Sequence, residues 1–143
     1  MAFGKLHVLL VHFPIALGLA AVLGDLLWAV WRKDFFRQAA FYCLLLAALA
    51  AIPTVIAGEM HLDAQQYAAS VQDLAETHEG LGIATLCVLA AAAVLRCLRR
   101  NRLAGWWLAG YAVLAAAIVV LVSLTGHWGG MVSFGPHYLS GLF

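Results

Sequence analysis

The chain has 143 residues, 65% hydrophobic and 10% charged, with a formal net charge of +1. Soluble domains are typically about 45–50% apolar and about 25% charged, so this composition excludes a soluble globular domain, and the balanced charge offers nothing to a nucleic acid. None of the three cysteines lies in a CxxCH or CxxC, which excludes covalent c-type haem attachment and offers no redox dithiol or zinc motif.

The length accommodates four membrane spans with short connections, hence one all-α domain over residues 1–143, an integral membrane four-helix bundle. The first span is expected over about 9–31. It opens within the stretch HVLLVHFPIAL (His7–Leu17), with Pro14 in its first turn, where the missing N–H has no partner to lose. Trp28 and Trp31 close it at headgroup level. No charged, cleavable leader precedes it, so the span is expected to stay in the protein. A short basic link (Arg32 to Arg37) leads to span two, about 36–58, where Pro53 is expected to bend the helix and free a carbonyl.

An acidic loop from Glu59 to Thr77 follows, within which Ala64 to Glu76 has the spacing of a surface helix. Spans three and four are expected over about 78–98 and 103–125. The tail after Thr125, rich in glycine and aromatics, reads as too irregular for a further span. All eight lysines and arginines except Lys5 lie in or beside the links after spans one and three. The positive-inside rule makes those links cytoplasmic and puts both termini on the periplasmic side of a bacterial inner membrane.

With that topology all six histidines fall at the outer end: His7 and His12 at span one, His61 after span two, His78 opening span three, His127 closing span four, and His137 in the tail. Neutral imidazoles facing each other across an apolar bundle suit the two axial positions of haem b, and copper or zinc also takes imidazole. A zinc enzyme would need an open position and a base. Glu59 or Glu79 could serve, but no HExxH spacing is present. His7 and His12 are separated by about 140° around a regular helix, so one ion would not take both. The bland alternative for each histidine is a hydrogen-bonded residue at headgroup level, and His61 and His137 fit it best. For His12, His78 and His127 the ligand and bland readings are balanced on pattern alone.

Glycines beside His78 (Gly80, Gly82) and around His127 (Gly126, Gly129, Gly130) allow close approach of backbone or cofactor, or plain small-residue helix packing. Asp25 is the one acid well inside a span. It is expected to pair with Arg32 or Arg96, with a proton route as the alternative.

The opening His7–Leu17 resembles the HPxxVHFPIAL start of a bacterial family of uncharacterised four-helix membrane proteins, with Val8 where that family often has proline. Two further stretches, His78-Glu79-Gly80 and Gly126-His127-Trp128-Gly129-Gly130, resemble its His-Gly and GHxGG motifs, so the likeness covers nearly the whole chain. Fusion of related domains to c-type cytochrome modules implies electron transfer, and the resemblance carries over His7, His12, His78 and His127 as the ligands of one or two haems b. The expected function is therefore a non-catalytic electron-transfer subunit of an oxidoreductase complex. It would pass electrons between a periplasmic cytochrome or other redox protein and the quinone pool or another membrane subunit. A cofactor-free membrane anchor is one alternative. A copper- or zinc-handling protein using His7, His12, His61 and Glu59 is the other.

Overall fold

A computed structural model describes residues 2–63, 69–99, 101–135 and 137. The helices are α1 (Ala2–Leu10), α2 (His12–Trp31), α3 (Asp34–Asp63), α4 (Ala69–Leu98) and α5 (Trp106–Phe134), with no strand among the described residues. Four stretches are long and apolar enough to cross a membrane: Leu6–Trp31, Asp34–Leu62, Val71–Leu98 and Trp106–Phe134. The protein is a multi-pass membrane four-helix bundle.

Helices α1 and α2 make one span, because the backbone stays helical through Val11 (φ −58°, ψ −28°). The interruption comes from Pro14, which has no N–H for the carbonyl of Leu10, and the neighbouring Ile15 N–H to Val11 bond is stretched to 3.4 Å. His7 therefore lies inside a helix. At the far end Arg32 adopts a left-handed backbone (φ 55°) and its N–H caps the Trp28 carbonyl at 2.8 Å, so the chain can reverse within two residues. Asp34 opens α3 and pairs with Arg37 one turn on at 2.9 Å.

The helices neighbour one another in the ring α2–α3–α4–α5, closed by α2 against α5, while α1 lies on α3. The centre is built largely of small side chains, with Ala21, Leu44, Ala47, Leu89, Ala92 and Ile118 fully buried. Small residues bring helix axes together where no hydrophobic effect drives association. At Gly24 two helices approach closely: a Cβ there would stand 3.0 Å from the Ala40 Cβ. Large apolar side chains such as Val30, Leu98 and Val113 point outward, as lipid contact requires.

Three expectations are corrected. The tail after Thr125 is helical to Phe134, so His127 and its flanking glycines belong to α5; packing against α4 outweighs the propensity cost of glycine, about 1 kcal/mol each. Helix α4 begins at Ala69, so the second half of the proposed surface helix is the first turns of span three; residues 64–68 lie outside the described residues. And α3 runs through Pro53 to Asp63 without ending near residue 58.

Candidate functional site

At the histidine-bearing end, two helices each present one imidazole to the bundle interior. His7 on α1 bonds through Nδ1 to the Thr54 carbonyl of α3 at 2.9 Å. His78 on α4 bonds through Nδ1 to the Thr125 carbonyl of α5 at 3.0 Å. A carbonyl only accepts, so in each ring Nδ1 carries the proton, and Nε2 of the neutral ring keeps the lone pair that a metal requires. The two rings meet edge to face, with centroids 6.1 Å apart and an interplanar angle of 85°.

Each ring also lies against a glycine one turn beyond its carbonyl partner. A Cβ on Gly58 would stand 3.1 Å from His7 Cε1, and one on Gly129 would stand 2.9 Å from His78 Cε1. Any side chain at either position would displace the imidazole. The threonines are held in turn: Thr54 and Thr125 hydroxyls bond the carbonyls of Ala50 and Leu121, each at 2.7 Å, and Thr125 also meets Thr85 at 3.1 Å.

These parts repeat. His78, Thr125 and Gly129 each follow His7, Thr54 and Gly58 by the same 71 positions that separate Asp25 from Arg96. The hairpin of α1, α2 and α3 and the hairpin of α4 and α5 thus carry His, Thr and Gly at the same spacing. His7 meets His78 at one end of the bundle, and Asp25 meets Arg96 at the other.

The histidines border a cavity of about 610 Å³ that His12, His61, Glu59 and Glu79 also line. That volume is in the range of small-molecule and cofactor sites. His12 is exposed at the border and His61 half-buried. His127 is exposed on α5 and does not line the cavity, and His137, exposed, lies beyond the end of α5. Of the four ligands implied by sequence, the fold brings together His7 and His78. Among the described residues no group of three or more His, Cys, Asp or Glu is placed to hold a metal ion. Close approach by Gly80, Gly82 and Gly126 is not observed, since a Cβ on any of them would meet nothing within 4 Å. Thr54, Gly58 and Thr125 are site residues that motif reading missed, and the repeated Thr-x-x-x-Gly-x-Met (Thr54–Met60, Thr125–Met131) is the signal that finds them.

The other end of the bundle is an ion-paired network. Arg96, 2% exposed, donates from Nη1 to Asp25 Oδ1 and Oδ2 (2.8 and 2.9 Å) and to the Tyr111 hydroxyl (3.0 Å). Its Nη2 reaches the Arg37 carbonyl at 3.1 Å, and Nε and Nη2 both bond Asn101 Oδ1. Tyr111 donates to Asp25 Oδ2 at 2.6 Å. Asp25 thus pairs with Arg96, as expected for one of its two candidate partners, and the network joins all four spans.

No curated protein and no solved structure matches the chain. A family model described as "Predicted membrane protein (DUF2231)" matches residues 5–137, and the chain belongs to that family.

Proposed function

We propose that the protein is a membrane b-type cytochrome in which His7 and His78 would hold one haem. The observation that carries this reading is the pair of imidazoles, each with Nδ1 tied to a carbonyl and rings 6.1 Å apart. Two imidazoles that shared one metal at metal–nitrogen distances of about 2.0–2.1 Å would have ring centroids about 6 Å apart, the spacing of His7 and His78. Haem asks the protein for only two ligands, because the macrocycle supplies the rest. Copper and zinc sites usually draw three or four from the protein, so the donor set favours haem. One pair favours one haem over two.

Haem supplies one-electron redox chemistry, and the chain's residues set where and at what potential it occurs. The Thr54 and Thr125 carbonyls fix each ring's tautomer and orientation, and they would raise the basicity of each ring toward a bound metal. Gly58 and Gly129 let the rings seat against α3 and α5. The positive-inside rule puts this end at the periplasmic face, where the subunit would exchange electrons with a periplasmic redox protein and pass them to the quinone pool or another membrane subunit.

The test is a reduced-minus-oxidised absorption spectrum of detergent-purified protein made with ample haem, with a pyridine haemochrome count. A sharp b-type α band at one haem per chain is expected. A colourless protein would sink the reading, and metal analysis of that sample would then separate a copper or zinc protein from a cofactor-free anchor.

A further inference from the structure

We propose that the basic end of the bundle holds an anionic phospholipid in the groove between α2 and α5, with its phosphate among Arg32, Arg37 and Arg102 and an acyl chain along the groove. Helices α2 and α5 meet over a shorter stretch than the other ring neighbours, so the seam between them opens. The opening is a cavity of about 690 Å³, separate from the histidine site, walled by Val22, Leu26 and Ala29 of α2 and by Leu108, Ala112 and Val119 of α5.

Its length matches one leaflet. Val22 to Arg32 spans ten residues, about 15 Å at the helical rise, and half of a hydrocarbon core of about 30 Å is the same depth. Its head end is cationic. Arg32, Arg37, Arg96 and Arg102 line it, and Asp25 is the one carboxylate among the described lining residues. Arg96 is committed to Asp25, Tyr111 and Asn101. Arg32 lies over the Trp28 ring at 5.1 Å, and Arg102 is exposed. Arg37 pairs with Asp34 through Nη2, but its Nε is buried with no hydrogen-bond partner among the described residues. A phosphate diester among Arg32, Arg37 and Arg102 offsets the charge excess. Basic pockets between helices at the cytoplasmic face take anionic headgroups for this reason, and an apolar groove one leaflet deep distinguishes a lipid from a free anion.

The experiment is native mass spectrometry of the detergent-purified full chain titrated with dioleoyl phosphatidylglycerol or dioleoyl phosphatidylcholine. One phosphatidylglycerol should stay bound under conditions that strip phosphatidylcholine. The double variant Arg32→Asn/Arg102→Gln should lower its retention roughly tenfold or more; asparagine tolerates the left-handed backbone of Arg32. Ala112→Phe, which narrows the groove without changing charge, should also lower retention. Arg99→Gln, at the same end but outside the groove, should leave it unchanged, with helix content by circular dichroism intact in each variant. Equal retention of the two lipids would overturn the proposal. So would an equal loss in Arg99→Gln, which would mean diffuse charge attraction. Displacement of phosphatidylglycerol by inorganic phosphate, with Ala112→Phe having no effect, would overturn it in favour of a free-anion site.

Discussion

His7 and His78 are each other's counterparts in two repeated hairpins, and their rings meet edge to face at 6.1 Å. Two imidazoles, one from each hairpin, would supply the two protein ligands that bis-histidine ligation of a haem demands. His7→Ala and His78→Ala should each abolish haem binding. His12→Ala and His127→Ala should retain it. Pyridine haemochrome counts on the four purified variants check this, and loss of haem in His127→Ala with retention in His78→Ala would assign the ligands wrongly.

The glycines divide by what faces them. Gly129→Ala puts a methyl 2.9 Å from His78 Cε1, against a ring held on the other side by the Thr125 carbonyl. The ring must turn or the helices part, so haem occupancy should fall severalfold. Gly58→Ala, at 3.1 Å from His7, should do the same less severely. Gly80→Ala has open space and should keep full occupancy, with helix stability raised by up to about 1 kcal/mol. The α band intensity per protein reads all three.

The span count, the histidine-rich end and the Asp25–Arg96 pair were legible because each rests on composition or on a rule with few alternatives. Charge inside a span demands a partner, and Arg96 was one of two basic residues within reach. The meeting of His7 and His78 was not legible. His12 and His127 sit in the most distinctive motifs, yet both are exposed, His12 at the cavity border, while His7 and His78 are held by backbone carbonyls that carry no sequence signature. Gly129 looked like a flank of His127, but its significance comes from another helix. The tail was misjudged because glycine is a local propensity signal, and inside a bundle packing decides.

Arg96 carries the stability of the opposite end. Its side chain is 2% exposed and bonds to α2, α3 and α5. Arg96→Leu leaves Asp25 without its cation and should destabilise the bundle by about 3–5 kcal/mol. Adding Asp25→Leu removes the uncompensated charge and should recover part of that loss. Tyr111→Phe removes one donor to Asp25 and should cost about 1–3 kcal/mol. Thermal unfolding in detergent gives the order: Arg96→Leu lowest, the double variant above it, Tyr111→Phe closest to the parent. A double variant no better than Arg96→Leu would mean that Asn101 and the Arg37 carbonyl, left without their donor, matter more than the stranded carboxylate.

The orientation can be tested without the cofactor. Lys33 lies in the basic link between α2 and α3, and His137 lies beyond the end of α5. If the positive-inside rule holds for this chain, the first lies at the cytoplasm and the second at the periplasm. In a chain with Cys43, Cys87 and Cys97 replaced by alanine, His137→Cys should react with a membrane-impermeant maleimide on intact spheroplasts. Lys33→Cys should react only after the membrane is opened. The reverse pattern would turn the molecule over. It would put the paired histidines at the cytoplasmic face and require a cytoplasmic redox partner for the proposed haem, while the arginine groove would then face the outer leaflet.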